Sequence, residues 1–419
     1  EGENMNETRN IIAGLEIGKE QSQLCYFDRK EREPISVSVK AGSNQYLFPT
    51  LLSKKPGKKT WHYGLEAEYF SRQEGELPVS GLLRIWNQDQ ETEIDGEKYT
   101  PGKLMEIYLR GCISLLGIGE PVRQIKAVMV TVPKLSPALI QAVYQAGEQM
   151  GFARSQIWVQ DYDESFYYYV MNHRKDNWAR KIGWFLFEKD KVSFARLVVD
   201  NQRRPATAWI EHGKSAELSK DPQERDENFF RLISQSCGND TYSSIYMVGD
   251  GFDQEWARRS TPYLCRNQRH VFYGNNLYVK GACYGAKEKC GEENLKGYLY
   301  ISSSLVRKNV SMEVVTGGSL KSYLLVEAGK NWYEIHTHLE IILDDKEDLE
   351  FTVIPMEGGA RTRFSMKLPG LPKRPNKTTR LALTIYYESE ELCVVRAEDM
   401  GFGDLYPSSG MVWTEKVSW

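Results

Sequence analysis

The chain has 419 residues, of which 54 are basic and 57 acidic, and its formal net charge is −3. This balance excludes the basic electrostatic footprint that nucleic acid or an anionic membrane surface would attract. The length predicts two or three domains, and no run of about 18 apolar residues predicts a membrane-inserted helix. Seven cysteines, with no Cys-x-x-Cys pair, argue against a disulfide framework or zinc ribbon and favour a reducing, cytoplasmic compartment.

The first part of the chain alternates between strand and helix signals. In chain order these predict strands at 10–17, 22–28 and 35–40, a helix at 102–116, a strand at 125–132, a helix at 136–150, a strand at 156–160 and a helix at 162–173. Thr100 is a favourable N-cap residue, and Pro101 follows it at the first helical position. Gly151 is placed to end the second helix.

The same order of elements returns after residue 180. The signals predict strands at 182–188, 192–199 and 204–211, a helix at 225–236, a strand at 244–248, a short helix at 252–260, a strand at 270–273 and a helix at 275–289. The order β-β-β-α-β-α-β-α therefore occurs twice, which is typical of internal duplication. It predicts two ribonuclease-H-like sheets with helices on their faces, in lobes at 10–180 and 181–295 that enclose a cleft.

After about residue 295 short strands separated by turns replace this pattern. They are predicted at 311–315, 322–326, 333–343, 350–355, 363–368, 380–387 and 392–398. This spacing predicts an antiparallel β-sandwich over 308–419, without a helical lid after it.

The predicted helix at 162–173 is rich in aromatic residues. Tyr162, Phe166 and Tyr169 share one face by their i, i+4, i+7 spacing, which predicts core packing between the lobes. Tyr167 and Tyr168 lie outside that face and are candidates for exposure.

Two histidines form one candidate metal arrangement. His336 and His338 lie on one face of a predicted strand, as alternate residues do. The sequence offers no third ligand nearby, so ordinary surface histidines are the simpler interpretation.

Several segments resemble, in order and spacing, the DnaK-type heat-shock chaperones of the actin-like ATPase superfamily. The residues that carry the resemblance are Ala127–Pro133, Gln145-Ala146-Gly147, 155–170, Lys280–Ala286 and Leu368–Pro372. The resemblance implies a duplicated, actin-like α/β body followed by a peptide-binding β-sandwich, in a degenerate and bacterial branch of the family.

The glycine loops that hold ATP in this family are mostly altered here. The first phosphate loop reads Glu16-Ile17-Gly18-Lys19-Glu20, which keeps one glycine but replaces both hydroxyl residues. The stretch 187–193 matches the second phosphate loop but has no glycine, and a plain hairpin turn describes it better. Gly249-Asp250-Gly251 partly matches the adenosine loop, and Asp161 matches the catalytic carboxylate. The resemblance therefore leaves Gly18, Lys19, Asp161, Gly249 and Gly251 as a relic of the nucleotide site.

Two further departures weaken a nucleotide site. The segment 213–228 is too short for the family's second-lobe insertion, which contacts adenine, and the first-lobe insertion at 41–101 is also short. The arginine that couples nucleotide to peptide binding in the family falls at Ile140. Each lost hydrogen bond to a charged oxygen removes about 1.5–3 kcal/mol. The sequence therefore predicts a pseudo-ATPase, not an enzyme, with no ATP or magnesium cofactor.

The segment that matches the family's peptide groove is one hairpin of the sandwich. Its candidate residues are Val315, Gly317, Gly318, Leu320 and Tyr323. An extended segment of a protein or peptide partner could add along this edge through main-chain hydrogen bonds. A purely structural sandwich is the alternative, and without a lid any bound peptide should exchange quickly.

The resulting hypothesis is a non-catalytic, chaperone-like binding or scaffold protein. Two alternatives stay open. One is a divergent ATP-dependent chaperone with weak nucleotide binding, and the other is an actin-like assembly or cell-envelope scaffold protein.

Overall fold

The computed structural model describes residues 10–40, 42–238, 240–266, 269–344 and 346–418. The chain divides into two compact units, Glu1–Tyr300 and Ile301–Trp419.

The first half of the first unit begins with an antiparallel run of strands. Its elements are β1 (Ile11–Ile17), β2 (Gln21–Asp28), β3 (Glu33–Ser36), β4 (Phe48–Pro49), β5 (Leu52–Lys54), β6 (Trp61–Tyr63), α1 (Gly64–Gln73), β7 (Leu77–Val79), α2 (Leu82–Asn87), β8 (Thr92–Ile94), β9 (Glu97–Tyr99), α3 (Pro101–Ser114), α4 (Pro121–Gln124), β10 (Ile125–Val132), α5 (Pro137–Met150), β11 (Ile157–Asp161) and α6 (Tyr162–Met171). The predicted cap of α3 is confirmed, because the Thr100 side chain accepts the Lys103 N–H. Gly151, at a φ of 91°, ends α5 as predicted.

The second half of this unit repeats the order of the first. Its elements are β12 (Lys181–Glu188), β13 (Lys191–Asp200), β14 (Ala206–Glu217), α7 (Pro222–Cys237), β15 (Tyr242–Asp250), α8 (Ser260–Leu264), β16 (His270–Tyr273), α9 (Leu277–Lys289) and β17 (Tyr298–Tyr300).

The predicted helix at 252–260 is wrong, since residues 252–259 form turns and loop and α8 begins only at Ser260. The Asp253 carboxylate accepts the Glu255 N–H, and the Trp256 indole donates to the Gly251 oxygen. Such local bonds from an aspartate compete with helix formation.

Two larger sheets lie within the described residues of this unit, and both have the same strand order. The first runs β11-β10-β1-β2-β3 with β4 beside β2, and the second runs β16-β15-β12-β13-β14-β17. In the first sheet, β1 pairs antiparallel with β2 and parallel with β10. In the second sheet, β12 pairs antiparallel with β13 and parallel with β15. The repeated order that the sequence predicts is therefore present, while the assignment to actin-like lobes stays a prediction.

Helices α6 and α9 pack against each other and against opposite sheets. Val279, Ala282 and Cys283 of α9 share a core with Ile12 and Met129 of the first sheet. The crossing is tight, because a Cβ on Gly281 would overlap the backbone oxygen of Ser165.

The expectation that Tyr167 and Tyr168 are exposed is wrong. Both are buried in the core that α6 forms with the second sheet. Tyr167 stacks on Tyr300 with ring centroids 4.9 Å apart, so α6 is covered on more than one face.

The second unit is made of antiparallel strands. They are β18 (Lys308–Thr316), β19 (Ser319–Val326), β20 (His336–Ile342), β21 (Asp348–Pro355), β22 (Thr362–Lys367), β23 (Arg380–Tyr387), β24 (Leu392–Gly401) and β25 (Val412–Ser418). Within the described part of this unit they form one sheet in the order β19-β18-β21-β22 and another in the order β20-β23-β24-β25. Val310 and Phe351 of the first sheet share one hydrophobic core with Leu383, Val395 and Trp413 of the second.

Candidate functional site

A carboxylate near the end of β1 lies where the two halves of the first unit meet. Glu16 accepts hydrogen bonds from the Tyr162 hydroxyl at 2.9 Å and from Gln23 Nε2 at 2.8 Å. The same Gln23 amide donates to the backbone oxygen of Asn275 at 2.6 Å. Burial raises the pKa of Glu16 to about 7, although both hydrogen bonds act to lower it.

Two tyrosine rings lie beside this carboxylate. Tyr162 begins α6 and Tyr278 lies in the first turn of α9, and their rings stack with centroids 3.9 Å apart. A Cβ on Gly18 would stand 3.4 Å from the Tyr162 hydroxyl oxygen. Burial raises the pKa of both phenols. The space beside the turn between β1 and β2 is therefore filled by protonated aromatic side chains.

The turn between β1 and β2 explains Gly18 without a phosphate. Its N–H donates to the Gln21 oxygen at 2.9 Å, and a Cβ on Gly18 would lie 2.5 Å from that oxygen. The close approach of the turn requires a residue without Cβ. Lys19 follows in the same turn with its side chain exposed.

The candidate catalytic carboxylate acts as a helix cap. Asp161 is the N-cap of α6, and its side chain accepts the Glu164 N–H at 2.8 Å. Burial raises the pKa of Asp161 to about 6. Nearby, the Asp163 carboxylate lies 2.7 Å from Nε2 of His212, which belongs to β14 in the second half.

Gly249 and Gly251 lie against the turn between β12 and β13. Their φ angles are 93° and 115°, and a Cβ on either would overlap a backbone oxygen, of Phe187 or Lys189 respectively. The Gly249 N–H donates to Asn275 Oδ1 at 2.9 Å. Packing of the two turns therefore requires both glycines.

A buried arginine joins these two turns. The Arg225 guanidinium of α7 donates to the backbone oxygens of Lys189 at 2.5 Å and of Gly251 at 3.2 Å, and to Asp190 Oδ1 at 3.0 Å. Glu188 pairs with Lys191 across the turn. The predicted hairpin turn at 187–193 is therefore confirmed.

The structure brings most of the candidate relic residues together. Gly18 and Asp161 flank Tyr162, and Gly249 is linked to Glu16 through Asn275 and Gln23. The Gly251 oxygen accepts a hydrogen bond from Arg225 and is not linked to Glu16 in this way. Lys19 stays exposed in the turn between β1 and β2.

Sequence reasoning assigned no site role to the side chains that occupy this region. They are Glu16, Gln23, Arg225, Asn275 and Tyr278. The one available signal was the aromatic face of α6, because it places Tyr162 towards the interior.

Replacing Glu16 with glutamine should raise the free energy of unfolding by about 1–3 kcal/mol at pH 8. The pKa of Glu16 is about 7 in the folded protein and near 4.5 when unfolded. The folded state therefore binds more protons between these values, and wild-type stability falls as the pH rises through this window. Urea unfolding at pH 8 and pH 4.5 measures this gain.

At pH 4.5 and below, Glu16→Gln and wild type should have similar stability, because the carboxyl is then neutral in the folded protein. The exposed Glu20→Gln is the matched control, since it removes the same charge from the neighbouring turn. Equal stability of Glu16→Gln and Glu20→Gln at pH 8 would contradict a desolvation cost at Glu16.

The candidate peptide-binding residues lie on the β18–β19 hairpin. Gly317 and Gly318 form its two-residue turn between Thr316 and Ser319, with φ angles of 62° and 77°. Val315 and Leu320 pair across the strands and are 62% and 64% exposed.

Both edges of this hairpin are open near its tip. β18 pairs with β21 only from Lys308 to Ser311, so that Met312–Thr316 continues past the ladder. β19 pairs with β18 on one side and ends the sheet on the other, as far as the described residues extend. Tyr323 and Leu324 of β19 are also about half exposed. The Leu325 oxygen accepts a hydrogen bond from the Thr337 hydroxyl at 2.6 Å. Before Leu325, apolar side chains accompany an open backbone edge along this strand.

His336 and His338 lie on β20 near other side chains. His338 Nδ1 is 3.1 Å from Thr384 Oγ1, and His336 stacks on Tyr386. Across the described ranges, no group of three or more histidine, cysteine, aspartate or glutamate side chains is arranged to hold a metal ion. In the same part of the chain, no helix combines the length and apolarity needed to cross a membrane.

Two family models match the chain, and they meet near the boundary between its two compact units. Residues 305–419 match the model of a domain of unknown function, DUF8552. No curated protein matches the chain. Residues 33–303, well over half of the chain, match the C-terminal model of a family of unknown function, DUF5716. The chain therefore belongs to the DUF5716 family.

Proposed function

We propose that this protein is a non-catalytic, chaperone-like binding protein that captures an extended apolar segment of a protein partner along β19. In this proposal the first unit is an actin-like body with a filled nucleotide cleft, and the second is a β-sandwich. The observation that carries it is the β18–β19 hairpin, where Leu320 and Leu324 are more than half exposed beside an open strand edge.

The former nucleotide cleft supports the non-catalytic part of this proposal. The N–H groups of Gly18 and Gly249 already donate to protein oxygens. Arg225 satisfies the backbone oxygens of the turn at Lys189 and of Gly251. A nucleotide would have to break these bonds and separate the Tyr162–Tyr278 stack. The bonds of the Arg225 guanidinium are charge-assisted and contribute about 1.5–3 kcal/mol each, so their displacement would be costly.

The hairpin supports the binding part. An extended peptide that pairs with β19 would gain main-chain hydrogen bonds and would place alternate side chains beside Leu320 and Leu324. Exposed strand edges are usually protected by charge or bulges in folded proteins. This hairpin carries the exposed charges Glu313 and Lys321, but Val315, Leu320 and Leu324 add an exposed apolar surface beside them.

The double variant Leu320→Lys/Leu324→Lys should weaken binding of a fluorescein-labelled peptide of alternating leucine and serine by at least about tenfold. Each leucine contact contributes on the order of 1 kcal/mol, and a lysine introduces a charge at the edge. Fluorescence polarisation with the full-length chain measures the affinity.

Leu405→Lys is the matched control, because Leu405 is 86% exposed elsewhere in the same unit. It should bind like wild type. A second probe carries N-methyl groups on alternate backbone amides, which keeps its side chains but removes one row of donors. Equal binding of the methylated and unmethylated peptides would contradict strand addition, and so would equal affinity of wild type and the double variant.

ATP with magnesium at millimolar concentration should leave the melting temperature of the full-length chain unchanged. A ligand that binds the folded state raises this temperature through mass action, and the cleft groups here are bonded within the protein. Differential scanning fluorimetry measures the shift. A clear rise that survives disruption of the β19 edge would favour the divergent ATP-dependent chaperone. A concentration-dependent increase in light scattering would favour the assembly scaffold.

A further inference from the structure

A cavity of about 820 Å³ lies in the first unit, between strands β5, β6 and β9 on one side and helix α3 on the other. Its aromatic wall is formed by Trp61 and Tyr99, which meet edge to face with centroids 5.1 Å apart. Tyr63 also lines it, and its ring lies against Gly111, where a Cβ would come within 2.5 Å of two ring carbons. The absence of a side chain at Gly111 therefore lets the ring lie flat on α3.

The cations around this cavity outnumber the charges that neutralise them. Lys103 and Arg110 share a single buried carboxylate, Glu106, at 2.5 Å and 2.7 Å. Lys59 also lines the cavity and has no ion-pair partner among the residues that the structure describes. Lys98 lies 3.4 Å from Glu91 and is mostly exposed.

The acidic residue on the aromatic side is already engaged. Glu97 accepts a hydrogen bond from the Tyr99 hydroxyl at 2.5 Å and lies 3.7 Å from Lys54 Nζ. One to two positive charges are therefore left facing the cavity. Its volume is within the range of about 300–1,000 Å³ that is typical of small-molecule sites.

We propose that this cavity binds a small planar aromatic carboxylate. The ring would pack against Trp61 and Tyr63, and the carboxylate would lie near Lys59 and the Lys103–Arg110 pair. Aromatic side chains provide large contact area for a flat ring, and the surplus positive charge favours a single negative charge over a neutral group. The site is separate from the hairpin and from the filled cleft, and it is independent of the peptide-binding proposal.

The test compares 2-naphthoate with its neutral amide, 2-naphthamide, which has nearly the same shape. Isothermal titration and saturation-transfer NMR with the full-length chain should give a dissociation constant of about 1 mM for the acid, as expected for a ligand of this size. The amide should bind at least about threefold more weakly. Raising the ionic strength to about 0.5 M should reduce this preference, because salt screens the interaction between exposed charges.

Two variants assign the binding to this cavity. Lys59→Gln should remove most of the preference for the acid, whereas Trp61→Leu should weaken both probes by about tenfold, the loss typical of an aromatic contact. Lys58→Gln is the matched control, since it removes the same charge from the adjacent exposed residue, which does not line the cavity. It should bind both probes as wild type does. If circular dichroism shows that Trp61→Leu does not fold, Lys59→Gln still tests the proposal, because the Lys59 side chain is exposed.

The proposal is overturned if the acid and the amide bind wild type equally, or if neither saturates at about tenfold above the expected constant. It is also overturned if Lys59→Gln and Lys58→Gln have the same preference for the acid.

Discussion

Replacing Gly281 with alanine should lower the free energy of unfolding of the first unit by about 1–3 kcal/mol, the usual cost of overpacking. Alanine is the better helix former by about 1 kcal/mol, so helix propensity alone predicts the opposite sign. The added Cβ would overlap the Ser165 backbone oxygen and stand 2.7 Å from its carbonyl carbon. Because the obstacle is backbone, no side-chain rotation can relieve the overlap.

The helices would have to move apart, and a hydrogen-bond network would be strained with them. Ser165 Oγ lies 2.6 Å from Thr131 Oγ1 and accepts a hydrogen bond from Gln160 Nε2 at 2.7 Å. All three side chains are buried, so a broken bond would leave a buried polar group without a partner. The loss of stability therefore reaches beyond the single overlap.

Urea unfolding followed by hydrogen exchange of α6 and α9 measures this effect in the first unit. Gly119→Ala is the control, since Gly119 has an ordinary φ and no described heavy atom within 4 Å of an added Cβ. It should stay within about 0.5 kcal/mol of wild type. A Gly281→Ala protein that is as stable as wild type, or more so, would contradict the crossing.

Elements with strong local signals could be predicted from the sequence. The helix from Pro137 to Met150 has a serine N-cap, a proline at its first position and a terminal glycine, and the structure places all three there. The continuous apolar run at 125–132 is the buried strand β10. Where a side chain competes locally, as Asp253 does, the predicted helix at 252–260 does not form.

The last strand, β25, was missed for a different reason. Val412–Ser418 alternates an exposed and a more buried residue, with polar side chains at most positions. Its partner is β24, which lies before it in the chain across a loop. The antiparallel pairing with β24, in which Ser418 lies opposite Leu392, determines the structure of β25. Strand signals of this kind depend on neighbours more than on intrinsic propensity.

The candidate site was predictable only in part. Gly249 and Gly251 stand out in the sequence, but the reason for them lies in the backbone of Phe187 and Lys189, far away in the chain. The bond of Arg225 to both turns has no signal in its local sequence. The hairpin turn at 187–193 could therefore be predicted, whereas the side chains that pack around it could not.

Replacing Arg374 with methionine should lower the free energy of unfolding of the second unit by about 3–5 kcal/mol, since it leaves a buried carboxylate without its cation. The guanidinium donates to both oxygens of Asp399, at 2.7 Å and 2.8 Å, and to the Pro407 oxygen at 2.9 Å. The Asp399 side chain is completely buried and that of Arg374 is 6% exposed. This pair ties the segment before β23 and the segment before β25 to β24.

Other donors to Asp399 determine how much stability is recovered when Asp399 is replaced together with Arg374. Its carboxylate also accepts bonds from the N–H and hydroxyl of Ser409 and from the Gly401 N–H. An apolar pair such as Arg374→Met/Asp399→Leu would remove the buried charge but leave these donors without an acceptor. The double variant should therefore recover only part of the loss caused by Arg374→Met.

The pair should also set the acid sensitivity of this unit. Arg374 holds the pKa of Asp399 well below its usual range. A depressed pKa contributes stability above the unfolded value of about 4, and this contribution is lost as the pH falls towards the folded value. Without the arginine the pKa of Asp399 should rise, so Arg374→Met should lose stability at a higher pH than wild type.

Arg396→Met tests whether burial of the ion pair causes the large loss of stability expected for Arg374→Met. Arg396 pairs with Glu398 on the same strand at 2.7 Å, but both of these side chains are more than a third exposed. An exposed pair contributes at most about 1 kcal/mol. Hydrogen exchange of β24 and β25 peptides during urea titration resolves this unit from the other one. If Arg374→Met and Arg396→Met cost the same, the buried pair does not hold the two segments. If Arg374→Met costs several times more, the stability of the second unit depends strongly on one buried ion pair.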